Sequence, residues 1–129
     1  MSKIQKFEDL EAWKKAREMT KAIYLATSTG EFFKDFALRD QVRRAGISAM
    51  SNIAEGFERG GDREHRQFLS MAKGWVGEVK SQLYAALDAG FLSQTEFENL
   101  YNLAGETGRL IGGLMRYLKQ SDFKGPKFR

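Results

Sequence analysis

Apolar residues recur every three or four positions along four stretches of the chain, and glycine-rich or polar clusters separate the stretches. In the first, Phe7, Leu10, Trp13, Ala16, Thr20 and Ile23 predict a helix over about 7–28. Glu8, Asp9 and Glu11 fall in its opening turn, where the helix dipole favours negative charge, and Gly30 reads as a stop. Phe32 and Phe33, in the link to the next helix, are expected to plug one end of the assembly. The second helix is predicted over 36–59, starting near Asp35 or Phe36 and ending at Gly60-Gly61. The third covers 62–89, with Asp62 as its cap and Phe68, Met71, Ala72, Trp75, Val79, Leu83 and Ala86 as its apolar side. Ser93-Gln94-Thr95-Glu96 is a capping box that opens a fourth helix over 94–120. Phe97, Leu100, Ala104, Ile111, Leu114 and Leu118 form its contact stripe, and residues 121–129 read as a flexible basic tail.

Two of the connections span only a few residues, which forces antiparallel neighbours. The expected fold is therefore all-α: an antiparallel up-and-down four-helix bundle, one domain over residues 1–129 and about 30 to 40 Å long. A chain of 129 residues is long enough to bury a core without staples, and with no cysteine it has neither disulfides, a thiolate zinc site nor a cysteine nucleophile. Its one proline, Pro126, lies near the C-terminus. No apolar run approaches the length of a membrane span, and no signal-peptide pattern opens the chain, so a cytoplasmic location without membrane contact is expected.

The predicted second helix carries two stripes. Val42, Gly46, Ala49, Met50, Ile53 and Phe57 form one, while Gln41, Arg44, Ser48, Asn52, Glu55 and Arg59 fall within an arc of roughly 80° elsewhere on the helix. The apolar stripe suffices to dock a helix, so the polar one is a solvated face, a buried network or a contact surface. Serine and asparagine are poor helix-interior residues, and no lysine interrupts the line, which favours a network or an interface with Arg44 or Arg59 bridging Glu55 and Asn52.

A formal charge of +4, from 21 basic and 17 acidic residues, is a mild excess, so distribution matters more than the sum. Arg63, Arg66, Ser70, Lys73, Gly77 and Lys80 line up along the predicted third helix on the side opposite its apolar residues. From Arg109 onward, Arg116, Lys119, Lys124, Lys127 and Arg129 face the single acid Asp122. Such rows can follow a phosphate backbone, or they are solvated faces. Without a helix-turn-helix, zinc finger or aromatic single-strand platform, binding would be led by the backbone and weakly selective for sequence. Glycine is unusually placed: Gly105, Gly108 and Gly112 share a face, and Gly74 and Gly77 lie inside a helix, each costing about 1 kcal/mol relative to alanine. They are either tolerated weak spots or points of close helix packing, within the bundle or between subunits.

Enzymatic readings are poorly supported. His65 is the only histidine, and Asp62-x-x-His65 is half of a di-iron bundle motif lacking its second half, so His65 reads as a polar first-turn residue and no metal or cofactor is expected. Glu55 and Glu78 could face each other across two helices, but pairing of carboxylates with Arg43 or Arg44 explains them more simply. No nucleophile, base and orienting group come together.

Three segments resemble a known family. They are Phe7-x-Asp9-Leu10-x-Ala12-Trp13-x-x-Ala16, Leu38-x-x-Gln41-x-Arg43-Arg44-Ala45-x-x-Ser48-x-x-x-Asn52-Ile53-Ala54-Glu55-Gly56-x-x-Arg59, and Phe68-Leu69-x-x-Ala72-x-Gly74-x-x-x-Glu78. Together they resemble the 23S rRNA-intervening sequence proteins across almost the whole chain, with Trp75 departing from the serine usual after that glycine. The resemblance implies an antiparallel four-helix bundle, a closed ring of five subunits and no defining enzymatic activity. A related group accompanies reverse transcriptases in diversity-generating retroelements, where a basic pentamer engages both enzyme and nucleic acid. Carried over, Arg44, Asn52, Glu55, Arg59 and Glu78 are motif residues, structural or binding in role. The expectation is a non-enzymatic homo-oligomer, a pentamer, that binds RNA or DNA through basic surfaces. The alternative is a protein-binding scaffold such as a reverse transcriptase accessory subunit or another ribonucleoprotein component.

Overall fold

A computed structural model describes residues 4–124, with side chains to residue 120. Five α-helices follow a short 3-10 turn at Phe7–Asp9: α1 Glu11–Ala26, α2 Gly30–Lys34, α3 Phe36–Glu58, α4 Asp62–Asp88 and α5 Gln94–Lys124. Among the described residues there is no strand, and no helix is long and apolar enough to cross a membrane. The four long helices pack as neighbours in the cyclic order α1, α3, α4, α5, and back to α1. This is the expected bundle, and α2 is a short brace on the link between α1 and α3.

Local chemistry explains where the helices start and stop. Asp35 Oδ1 accepts from the Leu38 amide at 3.0 Å and caps α3. The Ser93 hydroxyl accepts from the Glu96 amide at 3.1 Å while the Glu96 carboxylate accepts from the Ser93 amide at 2.7 Å, the reciprocal box expected at the start of α5. Gly60 and Gly90 take positive φ, +84° and +81°, directly after α3 and α4, where a side chain would be strained.

Several boundaries differ from expectation. The predicted 7–28 helix is broken at Leu10, which is extended, because Asp9 Oδ2 accepts from the amides of Gln5 and Lys6 and closes a separate turn. Gly30 does not end α1 but opens α2, with φ +68°. Asp62 is the first residue of α4 rather than its cap, a position taken by Gly61. Phe32 is buried and stacks on Phe91 at 5.4 Å, but Phe33 lies on the surface under the Arg39 guanidinium. Residues 121–124 continue α5 instead of beginning a tail; residues 125–129 lie outside the described ones.

The core is built from small and branched side chains. Ala16, Ala45, Ala49, Ala72, Ala86 and Ala104 are fully buried beside Met19, Ile53, Leu69, Val79 and Ile111, so the helices lie close. Closest of all is Gly56 on α3, where a Cβ would sit 2.8 Å from Phe68 Cβ and 3.1 Å from the His65 carbonyl of α4. Three buried threonines, Thr20, Thr27 and Thr107, satisfy their hydroxyls on carbonyls four residues earlier in their own helices.

Gly56→Ala is expected to lose about 1–3 kcal/mol through overpacking against α4 backbone. Gly74, with nothing within 4 Å of its Cβ position, should gain about 0.5–1 kcal/mol when replaced by alanine. Urea unfolding of the two variants checks the opposite signs.

Candidate nucleic-acid interface

The buried positions of α4 are His65, Leu69, Ala72, Val76, Val79, Leu83 and Ala86, one residue out of phase with much of the apolar stripe read from sequence. At 100° per residue that shift turns the basic row from the back of the helix to its flank. Lys73, Gly77, Lys80 and Tyr84 follow core residues by one position each, and this flank faces α5. On α5, Tyr101, Gly105, Gly108 and Gly112 share the facing flank by the same period.

Between the flanks runs a trough of about 450 Å³. Gly77, Gly105, Gly108 and Gly112 line it with bare backbone, Val76 and Ala104 lie at its base, and Lys73, Lys80, Arg109 and Arg116 supply four cations. Among the described residues no carboxylate lines this segment; Glu106 enters where the trough continues beside Lys80, Tyr101, Asn102 and Arg109. Within the bundle these glycines do not bring helices together: Gly74 and Gly77 meet nothing within 4 Å, and Gly108 meets only Val76 at 3.7 Å. Two of them lie beside an arginine. Each guanidinium reaches back one turn, so a Cβ at Gly105 would lie 3.5 Å from Arg109 Nη1, and one at Gly112 would lie 3.5 Å from Arg116 Nη1.

At one end the trough meets a ring cluster. Phe97, buried, packs against Tyr84 at 4.8 Å and Tyr101 at 5.3 Å, and the Lys80 ammonium sits 4.9 Å above the Tyr101 ring. The Tyr84 hydroxyl donates to Tyr101, which favours its neutral form and raises it above its usual pKa. Of the other basic residues singled out in the sequence, Arg63 is exposed in the first turn of α4, Arg66 is half-buried and Lys119 is exposed on α5. Lys124 is the last residue of α5, its side chain outside the described ones, as is the whole of Lys127. Arg109, Tyr84 and Tyr101 were not marked as site residues by sequence, although each falls at helical spacing from residues that were.

The polar stripe of α3 is mainly a solvent-facing flank, not a buried network. Gln41, Arg44, Glu55 and Arg59 are exposed, and Ser48 and Asn52 are half-buried, Asn52 donating to the Ser48 carbonyl at 2.8 Å. Arg59 does meet Glu55 at 3.0 Å, and its guanidinium lies 5.1 Å from the Phe68 ring centroid, which fixes the stripe beside α4. Glu55 and Glu78 do not face each other: Glu78 accepts from Gln82 some four turns along α4 from its start. Arg43 pairs with no carboxylate. It donates to Thr27 Oγ1 at 2.8 Å and to the Thr27 carbonyl at 3.1 Å, with Tyr24 beneath its guanidinium, and thereby seals the end of α1.

His65 is a core residue, not a polar first-turn one: it is 6% exposed, edge-on to Phe57 at 6.0 Å. It also lines a larger cavity of about 940 Å³ at the end of the bundle, among Leu10, Phe57, Leu114, Tyr117 and Leu118. Among the described residues no three histidine, aspartate or glutamate side chains converge as a metal site would require.

The fold and site define an all-helical protein with a cationic groove between two of its long helices. More narrowly, the chain belongs to the 23S rRNA-intervening sequence protein family, whose pattern it matches over residues 8–113. Its fold is similar to the crystal structure of a protein of unknown function from the S23 ribosomal protein family of Bacteroides thetaiotaomicron. That similarity has a TM-score of 0.74 and 19% identity, and covers 81% of this chain and 95% of the other. No curated protein matches the chain.

Burial holds the His65 pKa below its ordinary 6.5, against a weaker upward pull from Asp62. The unfolded chain therefore binds the proton first as pH falls through that value, and stability should drop below about pH 6.5, by at most about 1.4 kcal/mol per pH unit. Urea midpoints measured between pH 8 and 5 should show the decline in the parent and a flatter profile in His65→Gln.

Proposed function

We propose that this protein is a non-enzymatic homo-oligomeric scaffold of the cytoplasm that binds nucleic acid, RNA foremost, through the basic flank between α4 and α5. One observation carries the reading: Lys73, Lys80, Arg109 and Arg116 converge on a segment of trough that, among the described residues, no carboxylate lines. Four cations around exposed backbone, with Glu106 the one acid in the adjoining segment among the described residues, suit a polyanion better than a small neutral ligand. The family's association with ribosomal RNA in its name agrees with this direction. Assembly into a pentameric ring would repeat the flank around the particle and multiply weak contacts by avidity.

A second reading, a protein-binding scaffold such as a reverse transcriptase accessory subunit, draws on the other side of α4. There the half-buried Trp75 and the exposed Met71 and Ile47 leave apolar surface beside the α3 polar stripe. Binding of structured RNA titrated against salt separates the two. Four neutralised phosphates give a slope of about −3 to −4 in log affinity against log salt, and a flat response favours the protein scaffold. Replacing Lys73, Lys80, Arg109 and Arg116 by glutamine should remove most of that slope while leaving helicity intact. For the assembly, light scattering at micromolar concentration should give about five times the 14.7 kDa chain mass; a monomer rejects the ring.

A further inference from the structure

The α4 and α5 flanks form one continuous feature with two chemically different ends. From Lys73 to Tyr84 the α4 side spans eleven residues, about 16 Å at 1.5 Å per residue. Cations dominate at the Lys73 and Arg116 end, rings at the Tyr84 and Tyr101 end, and Lys80 joins them by lying over Tyr101. Neighbouring helices of a bundle have axes about 8–10 Å apart. A trough between them admits one strand of nucleic acid down to the glycine backbone. A duplex, with a major groove alone about 12 Å wide, would ride on the rim and leave the floor untouched.

The ring end adds what a phosphate-only surface lacks. Tyr84 is 50% exposed, whereas the face of Tyr101 is taken by Lys80. Buried Phe97 and the edge-on Tyr101 ring hold Tyr84 in place, so a base stacking on it meets a ring already ordered. Resting on the nucleic-acid reading above, we propose that the preferred ligand is single-stranded. Its sugar-phosphate backbone lies along the α4–α5 trough between the two cation pairs, and one base stacks on Tyr84. The contact covers no more than about five nucleotides at the ~3.4 Å rise of a stacked strand, and tolerates any sequence, because every base has a π-face.

The test compares fluorescence anisotropy of labelled 15-nucleotide oligo-U and oligo-dT with that of a 20-base-pair duplex, over a series of salt concentrations, using the intact chain. Single strands should bind at least about tenfold more tightly, with a slope near −2.8 for four phosphates at ~0.7 each. Tyr84→Leu should weaken single-strand binding about tenfold without changing the slope, and Tyr84→Phe should restore it, since the ring and not the hydroxyl stacks. Equal or tighter binding of the duplex overturns the proposal while leaving nucleic-acid binding intact. So does undiminished single-strand binding by Tyr84→Leu with parental helicity. Failure of every probe to bind, at any salt, overturns both this proposal and the reading it rests on.

Discussion

The close approach of α3 and α4 at Gly56 is the constraint on which the rest of the bundle turns. With Phe68 Cβ and the His65 carbonyl inside ordinary side-chain distance of the glycine, neither helix can rotate about its axis without collision. On its α1 side, α3 is held again at Gly46, where a Cβ would meet Thr20 Oγ1 at 3.0 Å. Clamped from both directions, α3 must carry its polar line on the flank that Arg59 pins over Phe68. In turn α4 must aim Lys73, Lys80 and Tyr84 toward α5. The cationic trough is thus positioned by a contact on the opposite side of α4.

Much of the architecture was legible in the chain because helices report themselves through periodicity and caps. The four long helices, the start of α3 near Asp35, the Ser93 and Glu96 box and the glycines after α3 and α4 all followed from residue type and spacing. What periodicity missed has local causes. The apolar rhythm runs unbroken through Phe7 and Leu10, so nothing in it marks the turn that the Asp9 carboxylate closes. Arg43 shows the same limit: its partner, Thr27, lies sixteen residues away and is a neutral group.

The candidate site was half legible. Lys73, Lys80 and Arg116 were marked as cations, but Lys73 and Lys80 were placed on the back of their helix and lie on its flank. Phe68, Met71 and Trp75 look like core and instead flank it, while His65, a titratable residue, occupies a core position. Partial burial of large side chains on a flank is common when the neighbouring helix presents small or polar residues, and here α3 presents Ser48 and Asn52. The glycines were noticed as odd, yet within the bundle Gly74 and Gly77 bring no helix close. On α5, Gly105 and Gly112 each lie beside the guanidinium of an arginine four residues downstream, at ordinary contact distance.

The two extremities of the bundle are built unequally. Where α4 turns into α5, three rings, a capping box and Phe91 stacked on Phe32 sew the elements together. At the far extremity a hollow of about 940 Å³ separates Leu10 and Phe57 from Leu114 and Leu118. With α3 and α4 clamped at Gly56, opening at the hollow pole is expected to begin where Leu10 and Ala12 stand apart from Leu114 and Leu118, before the aromatic pole yields.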